Sequence, residues 1–273
     1  RLKTMLENVR AKTPLVHNIT NYVTVNDVAN VLLAAGGSPI MSDDADDVED
    51  ITSICGGLNI NIGTLNKNTI PSMFLAGKKA NELGHIVLLD PVGAGASRLR
   101  TDTANRLMQE VRFDAVRGNI SEIKTLCTGS GSTKGVDADA VDAVTEANLD
   151  DGVQLVKTFA QRAGCIVAVT GAIDLVSDGE RCWCIRNGRA EMSRITGTGC
   201  QLSALMTAFL VANPDHKLAA AAAAVCMMGL AGEIGWANMQ PGDGNSTYRN
   251  RIIDAIFNMT GDALEEGAKY ELR

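Results

Sequence analysis

The sequence has no excess of basic residues: 25 Lys and Arg stand against 32 Asp and Glu in 273 residues, a net charge of −7. Nucleic-acid binding needs a clustered basic surface, so that class of partner is not expected. There is no Pro- or Ser-rich linker and no internal repeat, so one domain over residues 1–273 is expected. The stretch RLKTMLENVRAKTP at residues 1–14 is amphipathic and charged, without the apolar centre of a secretory leader. The longest apolar tract, KLAAAAAAVCMMGLAGEIGWA, is rich in alanine and broken by Gly232 and Glu233, so it reads as a buried helix rather than a membrane span. A cytoplasmic protein follows as the expectation. Both familiar nucleotide fingerprints are missing: there is no GxxxxGK[ST], and GAGASR lacks the third glycine of GxGxxG.

Cysteine is not scarce, but it is unpatterned. Cys55, Cys127, Cys165, Cys182, Cys184, Cys200 and Cys226 are odd in number and scattered, which argues against a disulfide framework. Cys182 and Cys184 share one face of a strand-like stretch, yet no second Cys or His pair completes a zinc site. Most read as small apolar residues in a reducing compartment.

Hydrophobic residues make up 45% of the chain, enough for a substantial core. Strand-length apolar runs at 38–42, 58–63, 85–90, 113–119 and 165–171 alternate with helical patterns at 25–36, 65–83, 100–111, 119–127 and 150–163. That alternation predicts βαβ units around a mostly parallel sheet with helices on both faces. Two short strands around Asp178-Gly179 predict an antiparallel edge, and helices are expected over 198–212, 216–237 and 248–267. The polar stretch 128–151 reads as a surface excursion.

Ligands of doubly wound sheets lie at the carboxyl ends of the strands, so the residues just after each apolar run are the informative ones. Asp90 ends one run and is followed by PVGAGAS; it could hold a metal or cap a turn. Arg117, Asn119 and Glu122 follow another, and Asn119 with Glu122 fits a capping box as well as a magnesium–phosphate site. Thr170 and Gly171 follow a third. In TGTGCQLSALM, Gly197 and Gly199 let successive N–H groups converge at the start of a helix, a concave anion site reinforced by the helix dipole. Upstream of a helix, Asn18, Thr20, Asn21 and Asn26 could bind a neutral polar ligand, with Met41 as a soft apolar wall. His17, a lone histidine among asparagines, reads as structural.

Taken together, HNITNYVTVNDVANVLLAAGGSPIMS, DPVGAGAS, GNISEI, VTGAIDLVSDG and GTGCQLSA resemble the hydroxyethylthiazole kinase family of the ribokinase-like superfamily, from about residue 10 to the final helices. The resemblance implies an α/β three-layer sandwich and transfer of the ATP γ-phosphoryl group to the primary alcohol of 4-methyl-5-(2-hydroxyethyl)thiazole in thiamin salvage. It also implies a magnesium requirement and a homotrimer with active sites between subunits. By the same resemblance Asn21, Met41 and Gly197 contact the thiazole, Arg117 and Thr170 contact ATP, and Asp90 and Glu122 organise magnesium. The amides of Gly197 to Cys200, with Gly199 among them, form the anion hole. Cys200 stands where most ribokinase-like members carry Asp, and serves either as general base or only as a positional residue. Rival readings are a hydroxymethylpyrimidine kinase and an ATP-dependent dehydratase of hydrated nicotinamide nucleotides, both on this fold. A NAD-dependent oxidoreductase is disfavoured by the missing GxGxxG, and a silent carrier by the pair Asp90 and Glu122.

Overall fold

The computed structural model describes residues 1–129 and 143–273, so most of the polar stretch expected as a surface excursion lies outside the described residues. The strands are β1 (Leu15–Ile19), β2 (Ser38–Met41), β3 (Gly57–Asn61), β4 (Ile86–Asp90), β5 (Ala115–Asn119), β6 (Ile166–Thr170), β7 (Asp174–Ser177), β8 (Cys182–Ile185) and β9 (Tyr270–Leu272). They form a nine-stranded sheet in the order β2-β1-β3-β4-β5-β6-β7-β8-β9. From β2 to β6 every pairing is parallel, and β7, β8 and β9 add an antiparallel edge.

Helices cover both faces because successive strand residues alternate between them. Leu88 enters one core, with α1 (Leu2–Lys12), α8 (Thr198–Ala212), α9 (Lys217–Ala237), α10 (Asn245–Asn258) and α11 (Gly261–Gly267). Its neighbours Val87 and Leu89 enter the other, with α4 (Thr69–Leu83), α5 (Arg98–Glu110), α6 (Ile120–Gly129) and α7 (Leu149–Ala163). The remaining helices are α2 (Val25–Ala35), which packs on α8, and α3 (Val48–Ile54), which packs on α4. This is the three-layer α/β sandwich that the resemblance implies. α9 is long and apolar enough to cross a membrane by length and composition, but it is buried from Leu218 to Gly232 inside the protein. Each fully buried Leu, Met or Phe in these layers stabilises the fold by roughly 2 kcal/mol.

The structure departs from the sequence expectation in several elements. β1 was not expected, because His17 and Asn18 interrupt its apolar pattern. Both are buried, and their polar atoms are bonded: His17 Nδ1 meets Thr52 Oγ1 at 2.7 Å and Nε2 meets the Ser42 carbonyl at 2.8 Å. Burial lowers the His17 pKa, so the ring is neutral and structural. The helix expected over 248–267 is two helices, interrupted at Met259 and restarted by Thr260, whose Oγ1 accepts the Ala263 N–H. α1, α3, β9 and a short 3-10 helix at Ala190–Arg194 are further described elements that were not expected.

Candidate active site

The chain turns from β1 to β2 on one side and then returns to place β3 on the other. This reversal opens a crevice at the carboxyl ends of β1 and β3, where doubly wound sheets bind ligands. A cavity of about 350 Å³ lies there, lined by Asn21 and Thr24 after β1, Gly63 and Thr64 after β3, and Gly197, Gly199 and Cys200 at the mouth of α8. Arg117, Asn119 and Glu122 close it from the β5 side.

The mouth of α8 has the geometry of an anion site. Gly197 caps the helix with φ 91°, and a Cβ there would come within 2.4 Å of Thr24 Cγ2. A Cβ on Gly199 would sit 3.2 Å from both terminal nitrogens of Arg117, a tight contact that glycine avoids where the helix backbone approaches that guanidinium. The first helical bond runs from the Gln201 N–H to the Gly197 carbonyl at 2.8 Å, and no side chain caps the helix. The N–H groups of Thr198, Gly199 and Cys200 precede that bond and are free for an anion.

Arg117 is the centre of the wall beneath. Nη2 donates to Asp90 Oδ2 at 2.7 Å, Nη1 to Thr170 Oγ1 at 2.9 Å, and Nε to Ser203 Oγ at 2.7 Å. Ser203 in turn donates to the same Asp90 oxygen at 2.8 Å. Burial works against the Arg117 charge, but Asp90 in contact and Glu122 nearby oppose it, and its pKa moves up. Guanidinium has five N–H donors, of which three are used, so two remain for a phosphate. Asp90 has no exposed surface, and its Oδ1 has no partner.

Asn119 and Glu122 form a complete capping box. Asn119 Oδ1 accepts the Glu122 N–H at 2.8 Å, and Glu122 Oε1 accepts the Asn119 N–H at 2.9 Å. Glu122 Oε2 also accepts the Gly93 N–H at 2.8 Å. Burial raises the Glu122 pKa above the ordinary glutamate range; the two amides pull it back, Asp90 adds to the rise, and Arg117 opposes it.

Cys200 is almost fully buried, and its sulfur accepts the Asn21 side-chain amide at 3.3 Å and that of Asn61 at 3.2 Å. A second cavity, of about 740 Å³, adjoins the first and shares Asn119 and Gly199 with it. Its floor is Leu202, Val225 and Met228; Thr170, Gly171 and Asp174 stand at its rim. Asp174 accepts the Gly171 N–H at 2.9 Å, and burial pushes its carboxyl up to about 7.

A profile of the hydroxyethylthiazole kinase family matches residues 6–262. The chain belongs to the hydroxyethylthiazole kinase family. It is 57% identical to a hydroxyethylthiazole kinase from Clostridium acetobutylicum over 99% of each chain. It is 48% identical to one from Clostridium beijerinckii, over 99% of this chain and 97% of that one. Among solved structures it resembles the hydroxyethylthiazole kinase protein from Pyrococcus horikoshii OT3, at 33% identity and a TM-score of 0.88, over 100% of this chain and 98% of that one. A pyridoxal kinase from Staphylococcus aureus shares the fold at 14% identity and a TM-score of 0.64, over 95% and 97%. The chain is therefore a phosphotransferase of ribokinase-like fold, and membership of a kinase family implies ATP as co-substrate.

With the family in hand, the expected site residues divide clearly. Asn21, Arg117, Glu122, Gly197, Gly199 and Cys200 converge on the smaller cavity, and Thr170 lies on the larger. Asp90 lines neither cavity: it is fully buried, with one oxygen bonded by Arg117, Ser203 and Asn61. Met41 does not line the cleft either: it sits on the edge strand β2, packed against the small cluster that includes Cys200. Asn18 is interior, bonded to the Val16 carbonyl and to Asn59, and Asn26 is exposed.

Asn61, Ser203, Thr24 and Asp174 were missed. Asn61 and Asn59 alternate with Leu58 and Ile60 in a buried strand, and Cys200, Ser203 and Thr207 recur at helical spacing in an apolar helix. Those two polar periods face each other, and either could have marked a buried polar seam.

Among the described residues no three His, Cys, Asp or Glu side chains cluster as a metal site. Magnesium does not need such a cluster, since it keeps several waters and binds through one or two carboxylates plus substrate phosphates. Glu122, an oxygen donor with lone pairs left on the cleft, fits that requirement.

Proposed function

We propose that this protein transfers the γ-phosphoryl group of ATP to the primary hydroxyl of 4-methyl-5-(2-hydroxyethyl)thiazole, giving the thiazole phosphate that thiamin phosphate synthesis uses. One observation carries the reading: two cavities meet at the glycine-rich mouth of α8. The smaller suits a small neutral ring, and the larger, with its apolar floor, suits a nucleotide. A phosphoryl group crossing between them passes the free N–H groups of α8 and the two unused donors of Arg117.

Phosphoryl transfer needs positioning and charge stabilisation more than covalent help. The amides of Thr198, Gly199 and Cys200 bind the moving oxygens, each donor of this kind being worth about 3 kcal/mol. Arg117 and Thr170 hold the nucleotide phosphates, while Asp90 fixes Arg117 from behind. Glu122 would hold magnesium, and the ion would supply neutralisation of the phosphate charge. Asn21, whose amide is fully used within the protein, and Gly197 form the wall against the thiazole. Cys200 receives the hydroxyl proton.

The chain works as one domain and as a homotrimer with sites between subunits. Tyr22 and Val23, 79% and 57% exposed beside the cleft, and Met41 on the open edge support a neighbouring copy there. Seven cysteines without a disulfide suit a reducing cytoplasm.

The deciding assay incubates the protein with magnesium, ATP and hydroxyethylthiazole and detects thiazole phosphate with ADP. Phosphorylation of hydroxymethylpyrimidine but not of the thiazole would overturn the reading. For the base, Cys200→Ser is expected to lower kcat roughly 100-fold while Cys200→Asp retains activity. Equal rates for Cys and Ser would remove that role.

A further inference from the structure

Asn61 ends β3 and has no part in the roles above. Its amide cannot be flipped. The Gly63 N–H lies 2.9 Å from Asn61 Oδ1, and a backbone N–H only donates, so the oxygen must face it. Asn21 is fixed in the same way, with its Oδ1 accepting the Thr24 N–H at 3.1 Å. Both NH₂ groups are thereby turned toward Cys200 Sγ, at 3.2 Å from Asn61 and 3.3 Å from Asn21. The other Asn61 hydrogen goes to Asp90 Oδ2 at 3.2 Å, and the other Asn21 hydrogen to Asn61 Oδ1 at 3.0 Å. Two donors thus occupy the sulfur from the protein side, and its remaining side lines the cleft.

We propose that Asn61 is the positioning residue for Cys200. It holds the sulfur as a hydrogen-bond acceptor turned toward the alcohol, and ties it to the Asp90–Arg117 pair beneath the phosphoryl path. This inference rests on the phosphotransfer reading and deepens it. In the step it serves, the hydroxyl proton passes to Cys200 Sγ and the oxygen pair forms the new bond to the γ-phosphorus. The bond from that phosphorus to the β,γ-bridging oxygen breaks, its electron pair leaving on ADP, and the thiol proton then goes to solvent.

The test is a double-mutant cycle on the full chain, measured with hydroxyethylthiazole and magnesium-ATP. Asn61→Ala is expected to lower kcat on the order of tenfold, below the ~100-fold that a 1 Å misplacement can cost, with the KM for ATP within about twofold. In a Cys200→Ala background the same change should cost nothing further. A merely structural Asn61 would lower the melting temperature and multiply the Cys200→Ala loss, and that result overturns the proposal, as does a wild-type kcat for Asn61→Ala. Full turnover by Cys200→Ala alone would instead show that the base reading beneath the proposal is wrong. If Asn61→Ala does not fold, Asn61→Asp keeps the volume and the Oδ1 acceptor but places an oxygen against the sulfur. It should show the same loss and the same non-additivity, and a wild-type kcat for it rejects the role.

Discussion

Asp174 shows what a single side chain can cost a fold for the sake of a cavity. Its carboxyl lies under the rim of the larger cavity with one backbone amide for company, and burial pushes it up to about 7 from an unfolded value near 3.8. Between those values the folded state holds a proton that the unfolded chain has released. Stability therefore falls as pH rises from about 4 to about 7, and stays lowered above that. Asp174→Asn cannot ionise and keeps the acceptor for the Gly171 N–H, so it should not show this loss. Thermal melts from pH 4 to pH 8 are expected to coincide at the acid end and to separate in favour of the variant at pH 8, by up to about 4 kcal/mol. Identical curves across that range would mean that the carboxyl is solvated as in the unfolded chain.

At the scale of elements, the mouth of α8 and the capping box of α6 make most of the site. Asn119→Ala removes the acceptor for the Glu122 N–H and should cost about 1 kcal/mol, a fall of roughly 2–4 °C in Tm. Glu122→Gln acts differently: it should raise the magnesium concentration needed for half-maximal rate, read by titrating the metal at saturating ATP. An unchanged midpoint removes Glu122 from metal binding. Arg117 and Glu122 could be read from the sequence because parallel strands deliver whatever follows them to one edge, and Gly197, Gly199 and Cys200 because a glycine pair marks the start of α8. β1 could not, since His17 and Asn18 break its apolar period and only their buried partners make them tolerable there. Asn61 was hidden for a related reason: its alternation with Leu58 and Ile60 marks a polar seam, but nothing local names the distant sulfur that it bonds.

At the scale of the whole molecule, the cleft has an exposed edge. Tyr22 and Val23 stand exposed at its edge, and Met41 lies on an edge strand outside it. A homotrimer would bury the first two and offer Met41 to a neighbour. Sedimentation equilibrium should give three times the chain mass, and Tyr22→Glu should lower assembly and kcat together. A chain that stays monomeric at every concentration and is fully active would reject the shared site.

The sequence by itself determined the layered α/β class, the order of most elements and the edge at which chemistry collects, because these follow from the period of apolar residues and from glycine and capping residues at element ends. Only the tertiary structure decided which side chains meet. Cys200 and Asn61 are 139 positions apart, and Asp90 and Ser203 are 113 apart. Their contact depends on β3, β4 and α8 packing in register, a consequence of the whole core rather than of any local run. That packing also encloses Asp90 behind Arg117 and leaves Met41 outside the cleft.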